Sequence, residues 1–331
     1  MDFKTHHASI LCQQEPFEFN STALALFRFQ AQHNPVYRQY LEYLRINPEQ
    51  VQALEQVPFL PIEFFKEQQV MSGEFKAEAV FYSSGTTQQA RSRHFVSNLE
   101  LYHQVSERIF ERYYGALQDY VILALLPSYL EQGGSSLVAM VDHFIKKTGQ
   151  TEKGFYLHDH GQLLQGLRQA RERGKKVLLI GVSYALLDLA AELRGQEDFT
   201  GVTVMETGGM KGRRREMIRE ELHAQLKQRL GVQSIHSEYG MTELLSQGYS
   251  KGEGIFWPGY TMRILLRDLN DPFDMNSQVR SGGINVIDLA NVDSCAFIET
   301  KDIGRLHPDG SFEVLGRFDN SDIRGCNLLV S

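Results

Sequence analysis

A chain of 331 residues, 42% of them hydrophobic and 23% charged, is long enough to bury one large core or two moderate ones, and its formal net charge of -7 excludes nucleic acid as a default partner. The most basic stretch, Lys211 with Arg213, Arg214 and Arg215, runs into Glu216, Glu220 and Glu221 and reads as a solvated helix start. Three scattered cysteines (Cys12, Cys295, Cys326) exclude a disulfide framework and fit a reducing compartment; with no leader pattern and no apolar run near the roughly 18–20 residues of a bilayer span, a soluble cytoplasmic protein is expected.

Residues 1–75 are predicted to form a helical segment packed on the core. Asn20-Ser21 is placed to cap a helix over Thr22 to Gln32, and Pro48-Glu49 to open another ending near Gln56. Pro58 and Pro61 then break the pattern around Phe59, Phe64 and Phe65, a packing element. From Val80 short apolar runs alternate with amphipathic helices. The runs are Val80–Tyr82, Val121–Leu126, Val177–Ile180 and Val202–Met205; the helices lie near Leu99–Tyr113, Ser135–Lys147, His160–Arg173, Tyr184–Arg194 and Arg214–Arg229. Strands that are apolar throughout, separated by helices, predict an α/β fold with a mostly parallel sheet covered on both faces. After Glu243, turn signals at Pro258-Gly259, Ser281-Gly282-Gly283 and Pro308-Asp309-Gly310 predict a smaller β-rich part from about residue 250.

Chemistry is concentrated in four segments. Tyr82-Ser83-Ser84-Gly85-Thr86-Thr87 follows a strand, and its hydroxyls and amides can wrap phosphate oxygens; it lacks the P-loop spacing, and a plain Ser/Gly turn is the alternative. Glu206-Thr207-Gly208-Gly209 ends another strand, where a glycine pair lets a flat ligand approach the backbone. Glu238-Tyr239-Gly240-Met241-Thr242-Glu243 offers a ring to stack on a purine, a hydroxyl for phosphate and a hard oxygen ligand for Mg²⁺; an exposed strand end is the ordinary meaning of such a segment. Thr300-Lys301-Asp302-Ile303-Gly304, with Gly316-Arg317-Phe318-Asp319 downstream, can serve ribose hydroxyls and phosphate, although such pairs are also common in hairpins.

In this order the four segments resemble the core motifs of the adenylate-forming superfamily of acyl-CoA synthetases and related ligases. The chain resembles more closely the LuxE-type acyl-protein synthetases, above all at Ser83-Ser84-Gly85-Thr86-Thr87 and at Ser321-Asp322-Ile323-Arg324-Gly325-Cys326-Asn327-Leu328-Leu329, and the resemblance runs from about Val57 to the C-terminus. It implies an adenylate-forming catalytic core over 76–331 with mixed or parallel sheets flanked by helices. It also implies the use of ATP and Mg²⁺ on a fatty acid, with a partner acyl-protein reductase of the LuxC type. Ser83, Ser84, Gly85, Thr86 and Thr87 would then handle the β- and γ-phosphates, and Gly208 and Gly209 would lie against adenine. Tyr239 would stack on adenine, Thr242 would meet the α-phosphate, Glu243 would hold Mg²⁺, and Asp302 would bind ribose with Arg317 nearby. Cys326 matches the cysteine that becomes acylated, and Arg324 beside it can lower its pKa; a small packed residue ahead of Leu328, Leu329 and Val330 is the alternative.

Two departures from the superfamily stand out. Thr87 is followed by Gln88, Gln89, Ala90, Arg91, Ser92 and Arg93 in place of a glycine and a later lysine, so Arg91 or Arg93 is expected to substitute for that lysine. The C-terminal lid domain and assisting lysine that most of the superfamily carries are expected to be lacking here, since Ser331 follows the last motif by only a few residues. Two rivals stay open: a carboxylic acid–CoA ligase of the phenylacetate type, and a catalytically silent nucleotide- or acyl-binding subunit. Cys12, Cys295, His103, His158 and His160 read as packed or solvated residues, and Tyr129 to Gly134 as a wall of the acyl pocket.

Overall fold

Asp2 accepts from the Thr5 amide and so caps the first helix, α1 (Phe3–Cys12). Residues 2–13, 16–84, 91–127, 133–193, 197–208, 217–275 and 281–318 are described by the structure, a computed structural model. Helix α2 (Phe19–His33) starts earlier than Asn20-Ser21 suggested, because the Ser21 and Thr22 hydroxyls turn back onto the Glu18 carbonyl and Asn20 reaches Arg263 instead. Asn34 ends α2 and opens α3 (Pro35–Tyr43): its amide closes the first helix on Gln30, and its side chain caps the second at Tyr37, with Pro35 in the first turn. The helix expected from Pro48 is instead two single 3₁₀ turns, Pro48–Gln50 and Leu54–Gln56.

The chain continues through β1 (Leu60–Pro61), α4 (Phe64–Glu67), a hairpin of β2 (Ala79–Tyr82) and β3 (Arg93–Val96), and α5 (Leu99–Tyr114). Alternating units follow: β4 (Tyr120–Leu125), α6 (Ser136–Thr148), α7 (His160–Glu172), β5 (Lys176–Val182), α8 (Ser183–Leu193), β6 (Val202–Thr207), α9 (Arg219–Leu230) and β7 (His236–Tyr239). Every residue of β4 is buried, as an apolar run covered on both faces requires. Strands β4, β5, β6 and β7 pair in parallel. The direction changes at β8 (Gly248–Ser250), antiparallel to β7, and β9 (Ile255–Pro258) follows it. Strands β10 (Met262–Arg267), β11 (Gly282–Asp288), β12 (Phe297–Leu306) and β13 (Phe312–Arg317) form an antiparallel array that joins through β13 and β9. Among the described residues this makes one eleven-stranded mixed sheet in the order β10-β11-β12-β13-β9-β8-β7-β6-β5-β4, with β1 beside β12.

The N-terminal helices cover the antiparallel half. Leu26, Phe27, Gln30 and Ala31 of α2 are buried, Phe27 standing edge-on to Phe297 of β12 with ring centroids 5.8 Å apart. Gln30 is wholly buried and donates to the Asn291 carbonyl at 2.8 Å while accepting from the Ala296 amide at 2.9 Å. Among the described residues no helix is long and apolar enough to cross a membrane.

Candidate active site

Parallel strands leave their chemistry at their C-terminal ends, where loops can carry polar side chains clear of the core. Here those ends belong to β6 and β7, next to the β7–β8 change of direction and the β2–β3 hairpin.

The hairpin brings Ser83 and Ser92 together. The Ser83 amide donates to the Ser92 carbonyl at 3.2 Å, and the Ser83 hydroxyl accepts from the Ser92 amide at 2.9 Å. Arg91 is drawn back onto the same hairpin: its Nε donates to the Ser83 carbonyl at 2.6 Å, and its guanidinium lies 5.3 Å from the Tyr82 ring centre. Arg93 is part of β3, opposite Tyr82. Ser84 is exposed at the edge of the loop; Gly85, Thr86 and Thr87 lie outside the described residues.

His94, the residue after Arg93, connects this hairpin to the Thr242–Glu243 loop. It is fully buried; Nδ1 lies 2.8 Å from the Thr242 carbonyl and Nε2 3.1 Å from the Ser294 hydroxyl. A carbonyl only accepts, so Nδ1 carries the proton and Nε2 receives the hydroxyl's. Burial pushes this imidazole down to about 4, consistent with a neutral ring. Asn291 Nδ2 donates to the Glu243 carbonyl at 2.7 Å. Two residues further on, the buried Asp288 carboxylate accepts from the amides of Leu245 at 2.7 Å and Ser246 at 3.1 Å. The loop is therefore held from three sides. The Glu243 carboxyl is buried, which raises its pKa, while the Ser92 hydroxyl and the charges of Arg317 and Lys66 pull it back.

Strand alternation sends Glu238 and Tyr239 to opposite faces of β7. Tyr239 is buried edge-on to Phe256 and Phe312, and its hydroxyl donates to Asp302 Oδ2 at 2.9 Å. Asp302 faces the exposed Arg317 across the β12–β13 pair, Nε to Oδ1 3.7 Å. Burial raises the Asp302 pKa, against the pull of Arg317 and the Tyr239 hydroxyl.

On the other face, Glu238 lines a small cleft of about 60 Å³ together with Tyr102, Ser136, Gly208, Thr242 and Gln247. Glu238 Oε2 accepts from the Thr207 hydroxyl at 2.6 Å. Burial, with a smaller push from Glu206 against the Thr207 hydrogen bond, raises its carboxyl to about 7. Gly208, at φ +66, turns its carbonyl to the Ser183 hydroxyl at 2.6 Å.

No protein-family model and no curated protein matches the sequence. Solved structures do match the fold. A 2-hydroxyisobutyryl-CoA ligase in complex with 2-HIB-AMP and CoA is similar over 97% of this chain and 70% of its own, with a TM-score of 0.64 at 14% identity. The fold is that of an adenylate-forming enzyme. ATP-bound MatB from Rhodopseudomonas palustris is similar to this adenylate-forming fold over 74% of this chain and 50% of its own (TM-score 0.50, 16% identity). An ATP-bound RpMatB-BxBclM chimera is similar over 74% and 49% (TM-score 0.53, 17% identity). The chain spans about half the length of these MatB structures.

Within the adenylate-forming fold, Ser83, Thr242 and Glu243 are tied together through Ser92 and His94, Gly208 and Thr242 share the cleft, and Tyr239, Asp302 and Arg317 form a chain on the far side of β7. Gly209 and Cys326 lie outside the described residues. Cys295 is packed, its thiol pushed up to about 12 by burial, and Cys12 is exposed. A lone carboxylate such as Glu243 suits Mg²⁺, which takes its other oxygens from phosphates and water. Among the described residues no cluster of three or more His, Cys, Asp or Glu forms a cage of its own. The motifs did not single out His94, Asn291, Asp288 or Gln247. Glu238 stood inside a motif without a role, and strand alternation was the signal that separates it from Tyr239.

Proposed function

We propose that this chain activates a carboxylic acid with ATP, forming an acyl-adenylate and pyrophosphate, and then transfers the acyl group to a thiol. The observation that supports this reading best is the placement of the Thr242–Glu243 loop: it meets the Ser83–Ser92 hairpin on one side, lines the cleft at Thr242, and follows directly on Tyr239 and its partner Asp302. An acid seated in the cleft would have its carboxylate beside Thr242, and a nucleotide would run from Gly208, Gly209 and Tyr239 past Asp302 and Arg317.

In the first step an acid oxygen attacks the α-phosphorus and pyrophosphate leaves, so the protein's task is alignment and charge neutralisation. Ser83, Ser84, Gly85, Thr86 and Thr87 would hold the outgoing phosphates, with Arg91 or Arg93 in place of the missing lysine. Arg91 must then leave the Ser83 carbonyl to reach them. Mg²⁺ on Glu243 would neutralise phosphate charge. In the second step a thiolate attacks the acyl carbonyl and AMP leaves. The resemblance at Ser321 to Leu329 favours Cys326 as that thiol, with a LuxC-type reductase as onward acceptor and a reducing, cytoplasmic setting that keeps it free. The neighbouring ligase bound to 2-HIB-AMP and CoA favours coenzyme A as a second candidate acceptor.

Intact mass after incubation with Mg-ATP and a panel of acids, without CoA, separates these. The expected outcome is an acyl-sized gain that hydroxylamine removes and Cys326→Ser abolishes. Acid-dependent pyrophosphate release without a mass gain, followed by acyl-CoA formation when CoA is added, would replace the acyl-enzyme by a CoA ligase. Absence of acid-dependent pyrophosphate release would sink the activation reading.

A further inference from the structure

The cleft beside Thr242 combines apolar side chains, Leu137, Met140, Met241 and Leu244, with two polar ones that a lipid chain would leave without a partner, Glu238 and Gln247. Gln247 is 3% exposed, and its Oε1 has no hydrogen-bond partner, while Nε2 reaches only the Leu245 carbonyl at 3.3 Å. Turning the amide over would set its oxygen against the Leu245 carbonyl, which cannot donate, and its nitrogen where no acceptor waits, so at least one polar end is unpaired either way. Glu238 has Oε2 on Thr207, and its Oε1 lies so close to Gly240 that a Cβ there would stand 2.3 Å away; the glycine makes room for the carboxylate. The neighbouring Glu206 is engaged elsewhere, by Arg219 and His223 at 3.5 Å each. No Lys, Arg or His lines the cleft among the described residues.

A saturated chain gains about 0.8 kcal/mol per buried CH₂ only against apolar walls. Against Glu238 it would strip water from a polar group and offer nothing back, at about 1–3 kcal/mol, and the buried Gln247 oxygen would stay unpaired. A hydrogen-bond donor on the acid reverses both costs. Resting on the acid-activation reading, we infer that the cleft selects a short carboxylic acid bearing a hydroxyl or amino group, which donates to the Glu238 carboxyl and the Gln247 amide. This replaces the fatty acid that the family resemblance implies. Because Glu238 titrates near neutrality, it can meet the substituent as a carboxylate or as a carboxylic acid.

ATP–pyrophosphate exchange tests this with butyrate, its hydroxy and amino derivatives at each carbon, and tetradecanoate. The expected result is kcat/KM at least about 100-fold higher for one substituted butyrate than for butyrate, with tetradecanoate no better than butyrate. Glu238→Leu should bring the ratio to within about tenfold. Glu238→Gln, which keeps the shape and an acceptor oxygen, should spare a hydroxy acid and lose an amino acid, and so identifies the donor. Butyrate or tetradecanoate used as well as every substituted acid would overturn the inference and leave the activation reading standing. Exchange with no acid would overturn the activation reading; calorimetric titration of the same acids, which needs no turnover, would then decide the cleft's preference by itself. Equal or absent heats for substituted and plain butyrate would overturn the inference there too.

Discussion

His94 shows how one side chain can set a site from behind. It touches no expected substrate, yet it donates to the Thr242 carbonyl and accepts from Ser294, so the loop bearing Thr242 and Glu243 takes its position from a neutral, buried ring. Its pKa falls from 6.5 to about 4 on folding, so the unfolded chain takes up the proton first. The stability it contributes is complete above about pH 6.5 and is lost as pH falls through about 4, about 3 kcal/mol in all. Glu238, Glu243 and Asp302 have raised values and act in the opposite sense. The contribution of His94 is therefore read as the difference between the urea stability of the protein and that of His94→Gln: it should shrink steadily from pH 7 to pH 4, and a constant gap would refute the assignment. If Asp302 binds ribose as proposed, Asp302→Ala should raise the KM for ATP by tenfold or more in pyrophosphate exchange and leave the KM for the acid within a factor of about three, since the change would remove a nucleotide contact only.

At the scale of elements, the β2–β3 hairpin depends on the segment ahead of α6. The Tyr82 amide donates to the Gly134 carbonyl at 2.8 Å, and Gly134 sits at φ +63, where a Cβ would stand 2.7 Å from Tyr82 Cδ2 and 3.3 Å from the Val80 carbonyl. Gly134→Ala meets both a left-handed backbone and a collision, so thermal unfolding should show a loss of about 2 kcal/mol, with exchange activity falling as the hairpin shifts. Gly133→Ala, at φ +66 but with open space, should cost about 1 kcal/mol and leave activity near normal. The elements themselves were largely legible. Val121–Leu126 and Val177–Ile180 became β4 and β5 nearly as expected, because a strand buried on both faces must be apolar throughout. The helix proposed from Pro48 was not, since its residues turn twice to bury Val51 and Leu54.

Across the molecule, the N-terminal helices brace the site from the antiparallel half of the sheet. Gln30 of α2 binds both ends of the segment from Asn291 to Ala296, which also carries Asn291 to the Glu243 carbonyl and Ser294 to His94. Gln30→Leu keeps the volume but leaves the Ala296 amide unpaired and the Asn291 carbonyl with only the long 3.4 Å bond from the Ser294 amide, so chemical denaturation should report a loss of about 2–3 kcal/mol. The kcat of pyrophosphate exchange should fall by more than the KM for ATP rises; a stability loss with unchanged kcat would show that α2 supports the fold without aligning the loop. From the sequence alone followed the alternation of apolar strands and helices and the ordered motif set around Ser83, Thr242 and Asp302, because burial on two faces and short loops rich in glycine and hydroxyl residues leave local patterns. Only the tertiary structure decided that β7 and β8 run antiparallel, that Glu238 and Tyr239 serve opposite faces, and that His94 reaches Thr242, since these contacts join residues far apart in the chain, and a lone buried polar residue leaves no periodic trace of its partner.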